Sequence, residues 1–225
     1  MKRAAIIVAG GKGTRMGADI PKQFLPINGV PILCLTVSKF IDFDPEITIF
    51  LVLPTSLMAY WLQVSTQWIP IDRCKLIPGG QERFFSVKNA IDNLPDDIDI
   101  VAIHDGVRPL VSVNCIARCF TEATLNGNAV PAVDVVESLR FVDSNGSRPL
   151  DRKSVKIIQT PQVFITDDIK KAYQQPYDEH FTDDASVMEK FGKKINLAQG
   201  EKQNIKITTF DDLQYAVYLL NQNKK

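Results

Sequence analysis

"RAAIIVAGGKGTRMGADIPKQF", residues 3–24, decides how the rest of the chain is read. Residues 4–9 are apolar without a break, the pattern of a strand buried on both faces inside a parallel sheet. Glycines 10, 11 and 13 follow at once, and a turn without Cβ atoms lets backbone N–H groups approach a ligand closely. Lys12, Arg15 and Lys22 add positive charge to the same stretch. A first strand running into such a loop predicts an α/β fold with an anion held at the edge of its sheet.

Spacing tests the familiar versions of this loop. The pattern GxxxxGK[ST] fails, because the Gly11-Lys12 pair is followed by glycine. GxGxxG nearly fits at Gly11 and Gly13, but the third glycine comes one residue late, at Gly17. Residues 24–38 also lack the acidic residue that would hold a ribose hydroxyl, which disfavours nicotinamide dinucleotides. What remains is a phosphate cradle carrying its own cations. Arg15 and Lys22 stand at its two ends, placed to neutralise a triphosphate and the charge that develops on an attacked phosphorus.

Working outward, short β-rich runs alternate with stretches of helical period. Strands are expected at 3–9, 47–53, 99–104 and 129–134, and helices at 31–41, 55–67, 82–94 and 112–126. Residues 137–159 hold two alternating runs around Asn145-Gly146, a hairpin signal. A helix at 183–191, a strand at 205–208 and a helix at 210–222 complete the chain. The expected fold is therefore a single Rossmann-like domain over 1–225, with a mostly parallel sheet flanked by helices and a β arm protruding at about 136–157.

Composition narrows the partners. Lys plus Arg and Asp plus Glu both number 26, so nothing favours general binding to nucleic acid or to anionic lipid. No apolar run reaches the roughly 18–20 residues that span a bilayer, and the N-terminal run is too short for a signal peptide. Cys34, Cys74, Cys115 and Cys119 form no CxxC pair, so they read as reduced thiols of a cytoplasmic protein.

Four further stretches carry chemistry. In "PGGQERFFSV", residues 78–87, Gly79 and Gly80 could admit a planar base whose edge Ser86 would bond; taken alone, the segment reads better as a plain helix start with Glu82 in its first turn. "AIHDGVRP", residues 102–109, ends a strand and puts Asp105 at the ligand-binding edge of the sheet. A carboxylate facing a triphosphate suggests Mg²⁺, with Arg108 gripping a second phosphate and His104 as a structural histidine. Arg152 and Thr160 lie in "DRKSVKIIQTPQVF", residues 151–164, and Thr182 reads as a helix N-cap. Lys206 is the lone charge in "NIKIT", residues 204–208, directed opposite to Ile205 and Ile207.

The succession AGGKGTRM, PKQ, GGQERFFSV, HDGVRP, QTPQVF, TDDAS and NIKIT resembles the 2-C-methyl-D-erythritol 4-phosphate cytidylyltransferases, nucleotidyltransferases of non-mevalonate isoprenoid precursor synthesis. The resemblance implies transfer from CTP to a sugar-alcohol phosphate with Mg²⁺ or another divalent cation. It implies Ala9, Gly10, Gly11 and Gly13 along the triphosphate, and Gly80, Gln81 and Ser86 at cytosine. Arg15, Lys22 and Lys206 would act in catalysis, and Asp105 would organise the metal. Asp105, Gly106, Arg108, Arg152, Thr160 and Thr182 would surround the acceptor. It also implies a homodimer in which the arm brings Arg152 to the partner's site. Gln81, Val135 and Gln203 depart from the usual family residues. A ribitol 5-phosphate cytidylyltransferase and a non-catalytic nucleotide-binding protein are the alternative readings.

Overall fold

A computed structural model describes residues 1–10 and 20–222. In chain order these form β1 (Arg3–Val8), β2 (Pro26–Ile27), β3 (Val30–Pro31), α1 (Ile32–Phe43), β4 (Thr48–Leu53), α2 (Thr55–Ser65), β5 (Cys74–Pro78), α3 (Arg83–Asp92), β6 (Ile100–Asp105) and α4 (Val113–Asn126). Then come β7 (Asn128–Asp134), β8 (Leu139–Asp143), β9 (Gly146–Leu150), β10 (Lys156–Ile158), β11 (Gln162–Ile165), α5 (Thr166–Ala172), α6 (Asp184–Lys190), β12 (Leu197–Gln199) and α7 (Phe210–Gln222).

The central eight-stranded sheet runs β10-β7-β11-β6-β1-β4-β5, with β12 also paired to β7. β1 lies between β4 and β6, parallel to both, in the register Ile6↔Phe50 and Ile6↔Ile103. Residues 4–7 are buried on both faces, which is why they are apolar, while Arg3 stands exposed at the strand's start. One face packs beneath α1 and α4 through Leu33, Val37, Phe40, Ile116 and Phe120; the other packs beneath α3, α5 and α6 through Val87, Ile91, Ile169 and Met188. Burying these two layers is the main stabilising term.

The sheet is mixed. β11 runs antiparallel to both β6 and β7, and β10 runs antiparallel to β7. β10 and β11 follow one line along β7 with a break between Ile158↔Ala132 and Val163↔Ala129. Four residues, 159–162, there oppose two, and the Thr160-Pro161 peptide inside the break is cis. Gln159 still donates its N–H to the Pro131 carbonyl of β7, and the extra length carries Thr160 to the end of β6, where its Oγ1 accepts from the Asp105 N–H.

Several expectations need correction. Residues 205–208 join no strand: they lie extended along the turn after β6, with the Ile207 N–H donating to the Val107 carbonyl at 2.9 Å. Residues 156–158 belong to the central sheet, so the hairpin is confined to β8 and β9, pairing Asp143 with Gly146 around Ser144 and Asn145. Gly146, at φ 117°, is the first residue of β9 and not part of the two-residue loop. The cap of α6 is Asp183, not Thr182; its side chain accepts from the Ser186 N–H, and Ser186 reciprocates.

Candidate active site

The carboxyl ends of β1, β4 and β6 open onto a cavity of about 910 Å³, lined by Ala9, Gly10, Lys22, Pro54, Ser56, Gly79, Gly80, Gln81, Arg83, Ser86, Asp105 and Lys206 among others. A smaller cavity of about 290 Å³ adjoins it, bordered by Arg108, Gln159, Thr160, Gln162, Thr182 and Asp183. Arg83, Asp105 and Lys206 line both. The larger lies in the size range of small-molecule sites, and the smaller suits a compact second ligand.

Local structure explains the lining. A Cβ on Gly10 would lie 3.5 Å from Ser86 Oγ and one on Gly79 3.4 Å, so the end of β1 and the start of α3 meet closely. A Cβ on Gly80 would fall 2.4 Å from Phe85 Cβ, which excludes any side chain there unless α3 moves. The Gly80 N–H donates to Ser86 Oγ at 3.0 Å, fixing the turn. Lys22 sits on a short helical turn, Lys22–Phe24, tied to β1 by buried Gln23, whose Nε2 donates to the Ala9 carbonyl at 3.0 Å. Arg15, Gly11 and Gly13 lie outside the described residues.

Asp105, the last residue of β6, is almost fully buried, yet three cations face it. Arg108 Nε and Lys206 Nζ each stand 3.1 Å from Oδ2, and Arg83 Nε stands 3.9 Å from Oδ1. Burial alone would raise its pKa; Arg83, Lys206 and Arg108 overcome that and hold it well below the usual carboxylate range. It is therefore an anion at neutral pH. Oδ1 is the less engaged oxygen. Among the described residues no group of three or more His, Cys, Asp or Glu is placed to hold a metal ion. A divalent cation at Oδ1 would thus need phosphate oxygens and water as its other ligands, an arrangement that suits Mg²⁺.

Arg83 has its own anchor. Its guanidinium makes two hydrogen bonds to Asp184, at 2.8 and 2.6 Å, and the Tyr173 hydroxyl donates to the same carboxylate at 2.6 Å. Burial would lower the Arg83 pKa, but Asp184 outweighs it and the charge is permanent. Arg108 is likewise fixed, Nη1 donating to the Asn204 carbonyl at 2.9 Å.

With this geometry, comparison with known proteins is decisive. The model of one family, 2-C-methyl-D-erythritol 4-phosphate cytidylyltransferase, matches residues 3–222. The chain belongs to that family. It is 47% identical over 220 residues to the cytidylyltransferase of that name from Bacteroides fragilis, covering 98% of this chain and 100% of the relative. Among solved structures it is similar to 4-diphosphocytidyl-2C-methyl-D-erythritol synthase from Anaerococcus prevotii, with a TM-score of 0.83, 25% identity and 98% of each chain covered. The 2-C-methyl-D-erythritol 4-phosphate cytidylyltransferase of Francisella tularensis superposes with a TM-score of 0.80 at 32% identity, covering 97% of this chain and 99% of the other.

Most of the residues marked by the cytidylyltransferase resemblance converge on the two cavities. Two do not. Gly106 is a packing glycine: its Cβ would meet Leu33 Cδ1 at 2.9 Å, its N–H donates to the Val8 carbonyl, and its carbonyl accepts from Thr36. Arg152 lines neither cavity of its own chain and donates to the Val136 carbonyl at 2.6 Å. Sequence reading missed Arg83, Gln23 and Asp184. The signal for Arg83 was a basic residue inside the glycine-started helix, and for Asp184 the doubled acid of TDDAS, of which one caps and one is buried.

Proposed function

We propose that the protein transfers the cytidylyl group of CTP to 2-C-methyl-D-erythritol 4-phosphate, releasing pyrophosphate and forming 4-diphosphocytidyl-2-C-methyl-D-erythritol, an isoprenoid precursor. The observation that carries this reading is the shared wall. Two cavities of unequal size meet at Arg83, Asp105 and Lys206, so two phosphate-bearing substrates can present their phosphates to each other across it. The larger takes CTP, its base against Gly80, Gln81 and Ser86 and its triphosphate toward Gly10 and Lys22. The smaller takes the alcohol phosphate beside Arg108, Thr160 and Thr182.

The acceptor's phosphate oxygen is already a nucleophile, so the chain forms no covalent intermediate and its task is to hold two anions in line. Lys206 and Arg108 offset the acceptor's charge. Lys22 and Arg15 stabilise the five-coordinate phosphorus. Bound through Asp105 and the triphosphate, Mg²⁺ would screen phosphate charge and orient the leaving pyrophosphate. The enzyme works in the cytoplasm as a homodimer. The exposed β8-β9 hairpin and the exposed Ile157 and Ile158 supply an arm, and Arg152, outside its own chain's cavities, serves the partner's site. Measuring pyrophosphate release from CTP with each acceptor tests the reading: turnover is expected with the methylerythritol phosphate, and preference for ribitol 5-phosphate overturns it.

A further inference from the structure

His104, one residue before Asp105, is completely buried and has no place in the chemistry above. Its ring packs edge-on against Phe40, at 5.1 Å between centroids. Nε2 lies 3.2 Å from the Arg108 carbonyl oxygen, and Nδ1 lies 3.0 Å from Thr160 Oγ1. A carbonyl only accepts, so Nε2 bears the hydrogen. The ring is completely buried, with a carbonyl and a hydroxyl as its hydrogen-bond partners and no carboxylate bonded to it, so it stays neutral and Nδ1 is bare and accepts. The Thr160 hydroxyl must then donate to Nδ1. The same oxygen accepts from the Asp105 N–H at 3.1 Å.

A threonine hydroxyl has one hydrogen and two lone pairs. Here the hydrogen and one lone pair are committed inside the protein, although Thr160 lines the smaller cavity. All that the hydroxyl has left to offer an acceptor is a single lone pair. A phosphate dianion offers only acceptor oxygens and gains nothing from it; an alcohol hydroxyl can donate to it.

We propose that His104 is a positioning residue of the acceptor site: fixed as its Nε2–H tautomer between Arg108 and Thr160, it turns the Thr160 hydroxyl inward, so that Thr160 meets the acceptor's alcohol and not its phosphate. The phosphate is thereby left to Arg108 and Lys206, on the side of the shared wall. This deepens the proposed reaction and rests on it, but its first test needs no substrate.

The chain has two histidines, so a His180→Gln background leaves one imidazole to observe. Long-range ¹H–¹⁵N spectra at neutral pH are expected to show one Nε2–H tautomer; an Nδ1–H tautomer or a mixture overturns the proposal whatever the protein catalyses. In steady-state assays, Thr160→Val and His104→Leu should each raise the acceptor KM about tenfold, the worth of one hydrogen bond, with the CTP KM within about twofold. The double variant should be no worse than either single one, because both remove the same contact. His104→Asn, whose Oδ1 can stand in for Nδ1, should recover most of the loss. Additive effects, or equal losses toward CTP and acceptor, overturn the assignment. Should His104→Leu not fold, the Thr160→Val and Thr160→Ser pair decides, serine being expected to retain the acceptor KM and valine to lose it.

Discussion

Replacing Asp184 by alanine is the sharpest perturbation of the wall between the cavities. Its side chain is fully buried and accepts three hydrogen bonds, two from Arg83 and one from Tyr173. Burial, reinforced by Asp184, raises the Tyr173 pKa, so that phenol remains a neutral donor and loses its partner in the variant. Breaking a buried charge pair from one side costs about 3–5 kcal/mol. The Arg83 side chain remains 27% exposed toward the cleft, where water can take over part of the solvation, so the lower end applies to the pair. An unpaired buried hydroxyl adds about 1 kcal/mol, for a total of about 4 kcal/mol. In a chain of 225 residues that corresponds to a fall in Tm of about 8–16 °C. Urea and thermal unfolding measure it, with Asp184→Asn expected to lose roughly half as much because one acceptor oxygen survives. Arg83 Nε already lies 3.9 Å from Asp105, so the freed guanidinium should also turn toward that carboxylate and lower turnover below the melting range. A stability loss under about 1 kcal/mol with unchanged turnover would refute the claim that Asp184 holds Arg83 in place.

Gly80→Ala should fold but raise the CTP Kd at least about tenfold, because the new Cβ must displace the start of α3; titration calorimetry with CTP checks this. Lys206→Ala should lower kcat by about a hundredfold with little change in Tm, as its Nζ leans on Asp105 from a half-exposed position. Asp212 accepts from Thr208 N, Thr208 Oγ1 and Thr209 N, all at 2.8 Å, and so fastens the strap bearing Lys206 to α7. Burial would raise its pKa, but these bonds outweigh it and lower it. Its contribution is therefore present above the unfolded carboxylate range and is lost as pH falls through the folded pKa. Asp212→Ala should cost about 1 kcal/mol near neutral pH, and the difference from the parent should vanish in acid. Replacing residues 139–150 by a short turn should yield a monomer by light scattering; a dimer of unchanged size would remove the arm from the interface.

Local periodicity reached far into this fold. β1, β4 and β6 are apolar through residues 4–7, 49–53 and 100–103 because they are buried on both faces there, and α1, α3 and α4 show the stripe that covers them. β5 escaped because it lies at the edge of the sheet, where Lys75 and Pro78 are tolerated. β11 escaped because four residues are too few for a pattern, and what places it between β6 and β7 is pairing with residues more than thirty positions away. "NIKIT" alternates like a strand, but the Ile207 N–H finds the turn after β6 while Asn204 and Ile205 donate back to Glu201 and Gln203, so no ladder forms.

The chemistry divides along the same line. Sequence alone pointed to a first strand ending at glycine, the carboxylate ending β6 and the lysine of the strap, since each is legible as a residue type within one short stretch. Only the tertiary structure decided which charges stand together. Arg83 and Asp184 are 101 positions apart, and Lys206 meets Asp105 from as far away. Such pairs leave no local period, because their energy comes from burial and close approach and not from neighbours along the chain.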